Sequence, residues 1–178
     1  LFCEIHTDAG LVGLGESGAW GYLRASAAVM EDYRDYLIGK DPLLIEHHFQ
    51  YLYRCTHFRG AAIMGALSAI DIALWDIKGK ALGVPIHELL GGRLVDAIPL
   101  YMTGSTFPEK DAAWHGQFFD QALELGFVGV KTRIASGASK DMEQVEGVRE
   151  HIGPNIKLMV DAYCNYGVES AIRIARHM

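Results

Sequence analysis

The sequence predicts a two-part α/β chain: an antiparallel hairpin with a helical block, then strand-helix units of a parallel sheet or part of a barrel. Two observations carry this. Glycine-punctuated alternation opens the chain and gives way to long 3.6-residue periodicity. From Ala97 onward, short apolar runs recur with ends near Thr103, Arg133 and Asp161, about 30 residues apart, the length of one strand plus its returning helix. The change of character sets a boundary near residue 95, giving parts 1–95 and 96–178.

Each element has a local reason. Leu1 to Thr7 alternates apolar and polar residues, Asp8-Ala9-Gly10 reads as a tight turn, and Leu11 to Glu16 returns as the second strand. A helix is expected over about Leu23 to Ile38. Asp41-Pro42 is expected to start a second one, since aspartate caps and proline suits the first helical position. Leu67, Ile70, Ala73, Leu74, Ile77 and Ala81 stripe a long helix over about Ala61 to Leu82, ending at Gly83 before Pro85, and Ile86 to Leu90 forms a short helix before Gly91-Gly92. The second part reads as a strand Ile98 to Thr103, a helix to Leu125, a strand Val128 to Ile134, a helix to His151, a strand Ile156 to Val160 and a last helix from Val168.

Composition narrows the class. Half of the 178 residues are hydrophobic and about a fifth are charged, which suits a globular protein, and no apolar run reaches the roughly 18 residues of a membrane span. With 22 acidic against 16 basic residues the net charge is −6, the wrong sign for collecting nucleic-acid phosphates. Cys3, Cys55 and Cys164 are too few and scattered for a disulfide framework, so a reducing cytosol is expected. The chain opens on Leu1 without a signal peptide and stops at Met178 inside a helical pattern, so both ends read as cut.

In a parallel strand-helix array, chemistry gathers at the carboxyl ends of the strands. Lys131 and Arg133, two apart on a strand, project together. Neighbouring cations lower each other's proton affinity, which can make a lysine a base; the plain alternative is a solvated strand end. Asp161 follows a buried apolar strand, where a carboxylate is costly unless it is paired, caps the following turn or binds a metal. Tyr163 shares its face as a hydrogen-bond donor or a rim aromatic, and the hydroxyls of Thr103 and Ser105 could line the same mouth, although ordinary loop polarity is the better explanation of them. Gly13-Leu14-Gly15-Glu16-Ser17-Gly18 fits GxGxxG, but its strand returns from a hairpin and a helix follows where a dinucleotide fold needs a parallel strand. The eight histidines show no HExxH spacing, and Cys164 reads as filler.

The hairpin ending Gly13-Leu14-Gly15-Glu16, the helix running from Ala69 through Asp71, Trp75 and Asp76 to Gly83-Val84-Pro85, and Leu89-Leu90-Gly91-Gly92 resemble the mandelate racemase and muconate lactonizing branch of the enolase superfamily, closest to its acid-sugar dehydratases. The resemblance implies an α+β capping domain over residues 1–95, lacking its first strand or strands, followed by the first three strand-helix units of a (β/α) TIM-type barrel, incomplete because eight units need about 240 residues. It also implies Mg²⁺ held by three carboxylates, of which Asp161 would be the first, the others lying on later strands. The metal would bind a small-molecule substrate carboxylate and stabilise the enediolate formed when the α-proton leaves.

By the same resemblance, Lys131-Thr132-Arg133 occupies the Lys-x-Lys motif. An arginine side chain is effectively always protonated, so Arg133 would steady a carboxylate or the enediolate. Lys131, or a His-Asp pair on later strands, would be the base. Tyr163 would meet substrate, and Trp20 and Tyr22 would sit on a loop that closes over the site and excludes water. Arg59 is as readily structural as functional. The implied activity is dehydration of an aldonate or aldarate to a 2-keto-3-deoxy acid, with racemisation, epimerisation or lactonizing cycloisomerisation as alternatives. The parent would be a cytoplasmic homo-oligomer, and the piece alone would be inactive.

Overall fold

The computed structural model describes residues 1–104, 107 and 109–177. They form two compact units, Leu1–Leu94 and Val95–Met178.

In the first unit, β1 (Phe2–His6) and β2 (Val12–Glu16) pair antiparallel with Phe2 opposite Glu16 and Ile5 opposite Gly13. Thr7 closes the turn, its Oγ1 accepting the Leu11 N–H at 3.0 Å. Three helices follow, α1 (Leu23–Leu37), α2 (Ile45–Arg54) and α3 (Ala61–Leu82), then the short α4 (Ile86–Leu89). Tyr33, Ile45, Leu52, Leu67, Ile70, Leu74 and Ile77 form the core, with the stripe of α3 at its centre. Gly83 ends α3 in the left-handed conformation at φ 67°.

Two glycines of the GxGxxG pattern, Gly13 and Gly15, have a packing role here. A Cβ at Gly13 would lie 2.1 Å from the Ala73 carbonyl oxygen, and one at Gly15 would lie 1.8 Å from that of Ala69. The second strand therefore rests directly on the backbone of α3. Polar groups fix the contact: the Leu14 N–H donates to Asp76 Oδ2 at 2.9 Å, and Lys80 Nζ donates to the Val12 carbonyl at 2.7 Å. The Lys80 ammonium, with the Leu14 N–H, holds the Asp76 carboxyl below the usual carboxylate range.

Asp41 does not start a helix. Its Oδ1 accepts the Leu43 N–H at 2.9 Å, which makes a side-chain turn and delays α2 to Ile45.

The second unit holds a parallel sheet in the order β3-β4-β5, from β3 (Tyr101–Thr103), β4 (Gly129–Arg133) and β5 (Lys157–Asp161). Thr103 pairs with Lys131, Lys131 with Met159, and Arg133 with Asp161. The helices are α5 (Ala112–Gln117), α6 (Asp120–Glu124), α7 (Ala138–Ile152) and α8 (Val168–His177). The single helix expected to reach Leu125 is thus two. The Phe119 N–H bonds three residues back to Gly116, tightening the chain so that the Phe119 side chain enters the core with Val130, Val148 and Ile152. A second cluster, Ile134, Val145 and Ile174, packs α7 and α8 beneath the strand ends. Among the described residues no helix is long and apolar enough to cross a membrane, and all three cysteines are free.

The hairpin contact gives a direct test. Gly15→Ala should destabilise the chain by about 1–3 kcal/mol or more, because backbone must move. Gly18→Ala, which meets open space, should change stability by less than about 0.5 kcal/mol. Urea unfolding of the two variants compares them.

Candidate active site

The pleat of β4 sends Val130 and Thr132, both essentially inaccessible, toward the helices and leaves Lys131 and Arg133 on the opposite face. The register then sets Asp161 beside them. Lys131 Nζ lies 3.5 Å and Arg133 Nε 3.8 Å from Asp161 Oδ2, with the three side chains 24%, 29% and 34% exposed. Asp161 Oδ1 accepts the Tyr163 N–H at 3.0 Å. That backbone bond, followed by the neighbouring Lys131 and Arg133 charges, holds the Asp161 carboxyl below the usual carboxylate range against the opposing effect of burial. The Asp161 carboxylate thus caps a turn and is also paired with two cations.

Tyr163 and Cys164 adopt left-handed backbone conformations, φ 50° and 58°, which bulky side chains rarely take. The turn brings the Tyr163 ring to the Arg133 guanidinium, with Cζ 5.5 Å from the ring centroid, while Lys131 Nζ lies 6.0 Å from the Tyr101 ring. Arg133 Nε is buried and, among the described residues, has no hydrogen-bond partner. A charged N–H left open among strand ends is a donor available to an incoming anion.

The remaining expected residues divide. Thr103 ends β3 beside Lys131, and Ser105 lies outside the described residues. Trp20 and Tyr22 belong to the first unit, on the segment between β2 and α1, and are 76% and 61% exposed. Arg59 is committed to its own loop: Nη1 donates to the carbonyls of Thr56 and Phe58, and its guanidinium stacks 4.5 Å from the Tyr53 ring. Cys164 is exposed.

Two supports escaped the sequence reading. Gln144, buried on α7, donates from Nε2 to Thr132 Oγ1 at 2.6 Å and to the Arg133 carbonyl at 2.9 Å, clamping the end of β4. Asp141, fully buried one turn earlier, accepts the Ser136 N–H at 2.9 Å and the Tyr166 hydroxyl. The signal was present: both polar residues fall on the buried stripe that Val145, Val148 and Ile152 define.

Asp161 presents a hard, ionised oxygen donor of the kind Mg²⁺ accepts. It fits one position of such a site. Among the described residues no group of three or more His, Cys, Asp or Glu side chains could hold a metal.

Residues 1–91 match the family model of the mandelate racemase / muconate lactonizing enzyme N-terminal domain, and residues 116–178 match the enolase C-terminal domain-like model. The chain belongs to the mandelate racemase and muconate lactonizing enzyme family. This is the branch of the enolase superfamily to which its long helix and Leu-Leu-Gly-Gly pointed. Within the family, it is 40% identical over 182 residues to D-galactarolactone cycloisomerase of Agrobacterium fabrum, covering 98% of this chain and 47% of that protein. It is 36% identical over 186 residues to D-galactonate dehydratase of Xanthomonas campestris pv. campestris, covering 100% and 48%. A racemase from Streptomyces coelicolor A3(2), crystallised with bound magnesium, superposes with a TM-score of 0.87 at 34% identity, covering 99% of this chain and 54% of that one. The chain spans about half the length of the curated relatives it matches.

Replacing Gln144 by leucine should leave Thr132 Oγ1 and the Arg133 carbonyl without this donor and cost about 1–3 kcal/mol. Urea unfolding followed by circular dichroism measures the loss; a change below about 0.5 kcal/mol would contradict the clamp.

Proposed function

We propose that the chain supplies the capping domain and the first three strand-helix units of a (β/α) barrel in a Mg²⁺-dependent dehydratase of sugar acids. Such an enzyme converts an aldonate or aldarate to a 2-keto-3-deoxy acid. The observation that carries the reading is the buried, unpartnered Arg133 Nε beside Lys131 and Asp161 at the ends of adjacent strands. The names of the relatives support the substrate class.

A proton beside a carboxylate is only weakly acidic, so its removal requires both a base and charge stabilisation of what remains. Lys131 Nζ takes the α-proton. Arg133 directs its open N–H at the substrate carboxylate and steadies the negative charge that develops there. Tyr163, stacked on Arg133, contacts the substrate beside it. Asp161 would be one ligand of a bound Mg²⁺, whose divalent charge would stabilise the anion. The β-hydroxyl leaves as water after protonation by an acid carried on later strands. The enzyme works in the reducing cytosol as a homo-oligomer, its partner being the small carboxylate substrate.

Cycloisomerisation is the second reading, favoured by the 40% identity to a galactarolactone cycloisomerase. It uses the same α-proton chemistry without net loss of water.

The test is a panel including D-galactonate and D-galactarolactone, offered in D₂O to a protein that carries this chain together with the remaining barrel strands. Dehydration gives a 2-keto-3-deoxy product that carries solvent deuterium at C3, where the enol is reprotonated. Exchange or ring rearrangement without that product refutes the dehydratase reading. Lys131→Ala should slow α-exchange roughly 10²- to 10⁴-fold, and undiminished exchange would remove Lys131 from the role of base. Chelating divalent metal should abolish the reaction and adding Mg²⁺ should restore it. The 178-residue chain alone should show no turnover.

A further inference from the structure

We infer that Asp141 and Tyr166 are positioning residues: their hydrogen bond pins the loop after β5, keeping the Tyr163 amide on Asp161 and the Tyr163 ring across Arg133. The inference rests on the proposal above only in taking Asp161 and Arg133 as parts of the site.

The Asp141 carboxylate is fully buried, a placement tolerated only where hydrogen-bond donors replace water. Its donors come from two different loops. Oδ1 takes the Ser136 N–H, 2.9 Å away, from the segment that leaves β4 just after Arg133. Oδ2 takes the Tyr166 hydroxyl from the segment that leaves β5 just after Asp161. One side chain on α7 therefore ties together the two loops that follow the candidate site residues.

The second loop needs such a tie. Between Asp161 and α8 the chain turns tightly, with the Asn165 N–H bonded to the Ala162 carbonyl at 3.0 Å. Tyr163 and Cys164 both take left-handed conformations there, at φ 50° and 58°. Consecutive non-glycine residues hold such conformations only where the surroundings fix both ends of the segment. Asp161 Oδ1 holds one end through the Tyr163 N–H. Tyr166 holds the other, its ring packed against Ile134, Val145 and Ile174 and its hydroxyl on Asp141. Burial first, then the Asp141 carboxylate, pushes the Tyr166 phenol up to about 12, so it remains a donor throughout the working range of pH.

Tyr166→Phe separates the two contributions of Tyr166, since it keeps the packed ring and deletes only the donor. Asp141→Asn tests the other partner by offering one acceptor oxygen in place of two. Amide hydrogen exchange, followed residue by residue by NMR on this chain, needs no substrate and so stands whether or not the dehydratase reading does. Both variants should exchange the Tyr163 amide about tenfold faster or more, while the Ile134 amide, bonded to the Asp161 carbonyl, keeps its wild-type protection. Unchanged exchange at Tyr163 in both variants overturns the inference. So does equal acceleration at Tyr163 and Ile134, or a variant that fails to fold, because either result would make the pair a general stabilising contact.

Discussion

The parallel register that sets Arg133 opposite Asp161 is the constraint on which the candidate site depends. Because successive side chains of a strand alternate, that one pairing also brings Lys131 to the same carboxylate and sends Thr132 to the other face. A slip of one residue would exchange the faces, burying two basic side chains against Val148 and Ile152 and exposing the valine and threonine. Core and site therefore enforce the same alignment. The apolar face of β4 supplies the energy that holds the register, and the polar face receives its geometry.

Support for the strand ends comes from a single helix. Gln144 grips β4 through a side-chain oxygen and a main-chain carbonyl, while Asp141, three residues earlier, reaches both neighbouring loops. A helix is a good platform for this because residues three apart lie one above the other on the same face. Above the sheet, Lys131 and Arg133 approach the Asp161 carboxylate at 3.5 and 3.8 Å.

Much of this was legible in the sequence because it is local. Alternation around Val130, Thr132 and Ile134 revealed the strand, and the apolar stripe of Leu67, Ile70, Leu74 and Ile77 revealed the long helix. The junction of Val160 with Asp161 marked a carboxylate that needed partners. What escaped was set by distant contacts or by competition at close range. Asp41 formed a turn with Leu43 because a side-chain bond two residues away competes with helix initiation. The helix before Leu125 broke because Phe119 was drawn into a core whose other members, Val148 and Ile152, lie far along the chain. Gln144 and Asp141 stood out as polar residues on a buried stripe, yet their partners Thr132 and Tyr166 belong to other elements. The GxGxxG pattern, whose hairpin context already argued against a dinucleotide site, has a packing explanation that only the structure shows: Gly13 and Gly15 admit the backbone of α3.

That close approach also bears on how the protein can change over evolutionary time. Gly13 and Gly15 lock β2 onto α3 at a spacing no side chain can enter, and the strand ends at Glu16, four residues before the exposed Trp20. The segment bearing Trp20 and Tyr22 thus springs from a foundation that does not depend on its own sequence. Replacing the exposed side chains of Trp20 and Tyr22 costs little stability, so a lineage can try other aromatic or polar side chains there without risking the fold. Two positions with no room for a side chain, beside a segment whose aromatic side chains are exposed, separate the part of this hairpin that cannot vary from the part that can.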